Sequence, residues 1–228
     1  MKNIIALICA RGGSKGIKNK NLLKIDNKSL LRIAIEQSKK IKFIKQVYVS
    51  TDSLKIANEA KKFGAIVPFI RPKKLSRDNT PEILVWRHAI DFLKNELKIK
   101  PDYIISLPTT SPLRKISDIN LCIKKTIKDN LDMLFTATHS YRNPYFNMIK
   151  KKGRKISIVC KEKKKMFFRR QDAPICYDLS TVCFIFKTDY VKNNIDLFSG
   201  KVDFFEVSKE SSIDIDTKFD YKLAKILY

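Results

Sequence analysis

The tightest constraint on this chain's fold is an alternation that runs as far as Thr138: short apolar runs take turns with stretches of helical periodicity. Ile4–Ala10 is a continuous apolar run with glycines close behind it, the pattern of a strand buried on both faces. Ser29–Ile41 follows with Leu30, Ile33, Ala34 and Ile41 at helical steps. Gln46–Ser50 reads as a strand. Thr51-Asp52-Ser53 supplies N-cap chemistry for a helix that Gly64 stops. Strands are expected at Ala65–Ile70, Tyr103–Leu107 and Met133–Thr138, and helices at Pro81–Leu97 and Ser117–Lys128. Repeated strand–helix units of this length give an α/β fold with a mostly parallel sheet and helices on both faces. Ligands of such sheets bind at the carboxyl ends of the strands.

Beyond Thr138 the alternation breaks. Residues 150–165 hold nine Lys or Arg in sixteen positions around Ile156-Ser157-Ile158-Val159, which predicts a hairpin or extension leaving the main sheet. Strand character returns at Val182–Phe186, and a helix from Thr217 to Leu227 closes the chain. With no internal repeat and no long linker, residues 1–228 read as one domain carrying an arm at 139–170.

Charge and cysteine content narrow the function classes. The formal net charge is +24, but 37 of the 47 cations are Lys and they are spread along the chain. Nucleic-acid binders concentrate Arg and aromatics on one element, so this charge argues for attraction of small polyanions and against a nucleic-acid partner. Five cysteines, odd in number and without a C-x-x-C pair, fit free thiols in a reducing compartment. The longest apolar runs fall well short of the roughly 20 residues a membrane span requires, and no signal peptide is read at the start. The expectation is a cytoplasmic protein with no membrane partner.

The chemistry concentrates after the first strand. Ala10-Arg11-Gly12-Gly13-Ser14-Lys15-Gly16-Ile17-Lys18-Asn19-Lys20-Asn21 contains three of the chain's six glycines. Glycines there let backbone N–H groups face an anion, while Arg11, Lys15 and Lys20 add positive charge. The spacing is neither the dinucleotide fingerprint nor the Walker loop. A second feature is Asp214-Ile215-Asp216: in extended chain, residues two apart share a face, so both carboxylates can meet one divalent cation. Alternatively, Asp216 caps the helix starting near Thr217 and Asp214 is solvated.

The segment from Ile4 to Asn21 resembles the N-terminal signature of the acylneuraminate (CMP-sialic acid synthetase) cytidylyltransferase family. Matching segments follow in order: Ser50-Thr51-Asp52, Arg71-Pro72, Thr110-Ser111-Pro112-Leu113-Arg114, Arg170-Gln171-Asp172-Ala173-Pro174 and Ser212-Ile213-Asp214-Ile215-Asp216-Thr217. Arg142-Asn143-Pro144-Tyr145-Phe146-Asn147 and the arginines at 169 and 170 make the chain most similar to members that handle legionaminic acid. The resemblance implies a three-layer, Rossmann-like nucleotide-diphospho-sugar transferase fold with an inserted dimerisation arm, and hence a homodimer. It implies a transferase of surface-glycan biosynthesis, in which CTP and a nonulosonic acid give a CMP-sugar and pyrophosphate with Mg²⁺ or Mn²⁺. It also implies a nucleotide site at Ala10, Arg11, Gly12, Gly13, Ser14, Lys15, Lys20, Asn21, Arg71 and Thr80. Ser111, Arg114, Arg170 and Gln171 would contact the sugar, Asp214 and Asp216 the metal, and Arg11, Lys20 and Asp214 would carry catalysis.

Two positions depart from the family pattern. Pro108 stands where a sugar-contacting Gln is usual, and Asp178-Leu179-Ser180-Thr181-Val182 replaces an Arg-x-Asn-Gly-Ala stretch. The nucleotide half of the site is intact while the sugar half has changed, so N-acetylneuraminate itself is not the expected substrate. The rivals are a 3-deoxy-manno-octulosonate cytidylyltransferase, a non-catalytic anion or RNA binder, and a synthetase that binds CTP without turnover.

Overall fold

The computed structural model describes residues 2–14, 16–162 and 166–228. In chain order its elements are β1 (Ile4–Cys9), a 3₁₀ turn (Lys20–Leu22), β2 (Lys24–Ile25), β3 (Lys28–Ser29), α1 (Leu30–Lys39), β4 (Val47–Ser50) and α2 (Leu54–Lys62). There follow α3 (Glu82–Asn95), β5 (Tyr103–Ser106), α4 (Ile116–Lys128), β6 (Met133–His139), β7 (Ile149–Lys152) and β8 (Lys155–Ile158). The chain ends with β9 (Tyr177–Lys187), α5 (Thr188–Asn193), β10 (Val202–Glu206) and α6 (Lys218–Leu227).

Six strands form the central sheet in the order β10-β6-β9-β5-β1-β4. The β1–β4, β1–β5 and β10–β6 pairs are parallel, and only β9 runs against its neighbours. Because side chains of β1 alternate, Ile4, Ala6 and Ile8 pack with α1, α2 and α4, while Ile5 and Leu7 pack with α3 and α5. These two cores make the three layers. A third cluster joins Ile25, Leu30 and Ile33 to Ile215 and Ala224, which fastens the C-terminal segment beside the start of α1.

The helix signals at Ser53 and Gly64 act where expected. Ser29 caps α1 and Ser53 caps α2 through their side-chain oxygens. Gly64, at φ +74°, turns the chain out of α2 in a conformation that favours glycine. Ala65–Ile70 departs from expectation. It touches the sheet only at Ile66, opposite Tyr48, and at Ile70, opposite Thr51. Pro68 has no N–H to donate, so a continuous ladder cannot form across it. α5 and β10 carried no clear sequence signal, because β10 is a half-exposed edge strand without clean alternation. The basic segment after Thr138 does form a hairpin, β7–β8, as a separate two-stranded sheet. All five cysteines are free thiols. Among the described residues, no helix is long and apolar enough to cross a membrane.

Candidate active site

The carboxyl ends of β1, β4 and β5 open into one cleft of about 560 Å³. The glycine-rich loop forms one wall. Gly12 N–H donates to Asp52 Oδ1 at 2.8 Å, so Asp52 braces the loop while the neighbouring Ser53 caps α2. Asn21 is buried; its amide donates to the Arg11 carbonyl at 2.8 Å and its Oδ1 accepts from Thr109. The loop is thereby pinned to the end of β5. Ala10 is wholly buried and offers only backbone, with its N–H given to Ser50 O. Gly13 faces open space, and Lys15 lies outside the described residues.

Arg11, Ser14, Lys20, Asn21, Arg71 and Thr80 all line the cleft, as does Asp216. Arg11 pairs with Asp78 at 2.7 Å. Arg71 is buried beside the end of β4, with its N–H on Thr51 O and its Nε on Ser76 Oγ. Thr80 Oγ1 donates to the Lys74 carbonyl at 3.3 Å.

From the far end of the chain Asp216 reaches the same cleft, with Asp214 two residues before it. Ile215 is wholly buried and its N–H donates to Thr110 O at 2.9 Å, which sets Asp214 and Asp216 on either side of it. The helix cap is Thr217, in a reciprocal box with Asp220, so Asp216 is free of that duty. Asp216 Oδ1 accepts from Lys20 Nζ at 2.8 Å. Burial pushes the Asp214 pKa up and the Asp216 charge adds to this, while Thr110, Lys20 and Thr181 offset part of it. Asp214 Oδ1 is buried with no hydrogen-bond partner. An orphaned carboxylate oxygen beside a second carboxylate suits a hard divalent cation, which takes one or two protein carboxylates and completes its shell with phosphate and water. Among the described residues no cluster of three or more His, Cys, Asp or Glu side chains suited to a metal ion is found.

The sugar-side residues are placed differently. Ser111 is wholly buried, its Oγ 2.6 Å from Thr181 Oγ1. Arg114 is buried too: it donates to the Pro108 carbonyl, while Nε and Nη1 lack partners. Burial lowers its pKa to about 10, opposed by Cys183 and Asp214. Both residues shape the 108–114 loop and neither lines the cleft. Arg170 and Gln171 line a separate cavity of about 350 Å³ with His139, Asn143 and Pro174; Arg170 donates to Ser140 O at 2.7 Å. Asp178 accepts from Ser140 Oγ at 2.9 Å and lies outside the main cleft.

Thr181 does line the cleft, and the sequence did not single it out as a site residue. The β6–β9 register runs Phe135 opposite Phe184 and then Thr136 opposite Ser180, so residues 181–183 bulge from the ladder. Thr136 Oγ1 donates to the 180 or 183 carbonyl and accepts from the Cys183 N–H. Asp78, Glu82, Thr109 and Thr110 also line the cleft without having been anticipated. Asp78 and Glu82 flank Thr80, an expected nucleotide-site residue, and that proximity was their sequence signal.

A cleft of this kind, with a glycine-rich cationic loop facing an aspartate pair across the carboxyl edge of a mostly parallel sheet, is that of a nucleotidyltransferase. The family model described as Cytidylyltransferase matches residues 5–227, and the chain belongs to that family. It is 37% identical over 227 residues to the CMP-N,N'-diacetyllegionaminic acid synthase of Campylobacter jejuni, covering 100% of this chain and 95% of that one. A post-translational flagellin modification protein B of Campylobacter coli matches at the same identity and coverage. The pseudaminic acid cytidylyltransferase of Campylobacter jejuni is 31% identical over 233 residues, covering 100% and 97%. Among solved structures, a CMP:2-keto-3-deoxy-manno-octonic acid synthetase complexed with CTP shares the fold, with TM-score 0.73, 16% identity and coverage of 99% and 98%.

Proposed function

We propose that this protein transfers the cytidylyl group of CTP to the anomeric hydroxyl of a nonulosonic acid of the legionaminic type, releasing pyrophosphate. The observation that carries this is the meeting of two distant motifs in one cleft: Lys20 of the loop on Asp216, with the Gly16 backbone against the Asp216 carbonyl. A phosphate chain held by the loop then lies beside two carboxylates. The full-length match to the legionaminic acid enzyme favours that substrate class.

The reaction asks little covalent work of the protein: two anions must be held in line and the charge on the leaving pyrophosphate neutralised. Arg11 and Lys20 supply cations, and loop N–H groups supply donors. Asp214 and Asp216 would hold Mg²⁺ (or Mn²⁺), which supplies charge neutralisation at the phosphates. Ser111 and Arg114 act through the 108–114 loop, on which Thr109, Thr110 and Pro108 face the ligand. Arg170 and Gln171 lie in the separate cavity, so they would serve the sugar, the guanidinium meeting its carboxylate, only where the acid extends from the cleft to that cavity.

The proposal extends to a cytoplasmic homodimer joined through the 139–170 arm. Ile149, Ile156, Met166 and Phe168 are each 64–79% exposed on and beside the hairpin, an apolar surface a partner subunit would cover. The test is pyrophosphate release from CTP and Mg²⁺ with N-acetylneuraminate, legionaminate, pseudaminate and 3-deoxy-manno-octulosonate in turn. Release with legionaminate is expected. Release with the eight-carbon acid alone, or with no acid, overturns the substrate class.

A further inference from the structure

Two cations beside the glycine-rich loop, Arg11 and Lys20, line the main cleft, and each is paired with a carboxylate. Lys20 is held by Asp216, a member of the acidic pair whose charge suits a divalent cation. Arg11 is held by Asp78, Nη1 to Oδ1 at 2.7 Å, and Asp78 comes from a different segment. A carboxylate there opposes the charge of a triphosphate.

That segment runs from the end of β4 to the start of α3. Its first residue is anchored: Arg71 is buried, and its N–H donates to Thr51 O at 2.7 Å. Beyond it the chain ties to itself. Leu75 N–H donates to Pro72 O, Ser76 N–H to Lys73 O, Thr80 N–H to Arg77 O and Thr80 Oγ1 to Lys74 O. Arg77, Asp78 and Asn79 are exposed. The glycine-rich loop is braced from behind, by Asp52 on the Gly12 N–H and by Asn21 on the Arg11 carbonyl. The Arg11–Asp78 pair thus joins a braced loop to a strap. A guanidinium meets carboxylate and phosphate with the same planar fork, so the two compete for it. With the side chains 33% and 40% exposed, water screens the pair and its rupture costs little.

We propose that Asp78 is a built-in competitor of the ligand's phosphates: its carboxylate latches the 72–80 strap onto Arg11, and an incoming triphosphate or pyrophosphate must displace it. This rests on the cytidylyltransferase reading of the cleft. Such a latch weakens apparent affinity, because only molecules with Arg11 released are competent to bind, and it helps pyrophosphate leave the loop. A carboxylate that instead orients Arg11 for the phosphates would have the opposite sign.

The test is titration calorimetry of CTP with Mg²⁺, of inorganic pyrophosphate and of uncharged cytidine, on the wild type, Asp78→Asn, Asp78→Ala and Asp91→Asn. Asp91 pairs with Lys192 at 2.8 Å outside the cleft, so its variant makes the same change in net charge without touching Arg11. Both Asp78 variants should bind CTP and pyrophosphate about two- to fivefold tighter, with cytidine unchanged, and Asp91→Asn should match the wild type. CTP and pyrophosphate bound no tighter by the Asp78 variants, or bound by neither variant nor wild type, overturn the latch. An equal gain for cytidine, or the same gain in Asp91→Asn, overturns it too, since displacement of a carboxylate by phosphate is then not the cause. Nucleotide choice separates the two readings. If ATP and GTP bind as well as CTP, the cytidylyltransferase reading falls, while the pyrophosphate titration still decides Asp78.

Discussion

Lys20 Nζ lies 2.8 Å from Asp216 Oδ1, an ion pair that joins residues 196 positions apart in the chain. Lys20 is largely covered and Asp216 largely open, so the pair contributes little to stability. Its importance is positional: it ties the glycine-rich loop to the acidic segment.

Asp214→Asn should lower turnover by on the order of a hundredfold or more, because it removes one of two carboxylates available to a divalent cation. Melting temperature should hold or rise, since the folded environment disfavours the charged form of Asp214. Pyrophosphate release and a thermal melt on one preparation check both halves, and unchanged turnover removes Asp214 from the mechanism.

Gly16→Ala places a Cβ 2.5 Å from the Asp216 backbone carbonyl, a contact that only backbone movement relieves. Expected are a stability loss of about 1–3 kcal/mol and a turnover loss of at least about tenfold as the acidic segment shifts. Gly13→Ala, where a Cβ meets nothing within 4 Å, is the matched control and should melt like the wild type.

Thr181→Val removes the hydroxyl that partners the buried Ser111 Oγ at 2.6 Å. The orphaned serine should cost about 1–3 kcal/mol in denaturant unfolding. The double variant Thr181→Val/Ser111→Ala should recover part of that loss, since neither partner is then left unpaired.

The Glu36 carboxyl accepts from Arg32 Nε at 2.7 Å and Lys28 Nζ at 2.9 Å, and these two hydrogen bonds hold its pKa below the usual carboxylate value. A depressed folded pKa means stability present above the unfolded value, near 4.5, and lost as pH falls through the folded one. Glu36→Gln should therefore melt lower than wild type at pH 7, with the gap closing as pH drops below about 4. The gap should be small, because all three side chains are about a third exposed.

Local rules carried much of the fold. Apolar runs such as Ile4–Ala10, the helix cap at Ser53 and Gly64 at the end of α2 act through neighbours a few residues away, so a linear reading finds them. Pro68 shows the cost of overlooking one such neighbour, since its missing N–H reduces the expected Ala65–Ile70 strand to two bridges.

By itself the sequence determined that a cationic glycine loop follows a buried strand, and that two aspartates sit one residue apart on extended chain. Periodicity and spacing suffice for that. Only the tertiary structure decided that these motifs share a cleft, that Arg170 and Gln171 line another cavity, and that Ser111 and Arg114 are buried outside both. It also decided that Thr181 and not Asp178 lines the main cleft, because a bulge between β6 and β9 re-aims residues 181–183. Such placements depend on register between strands far apart in the chain and on packing of the C-terminal segment against α1. Neither leaves a periodic trace in the residues concerned.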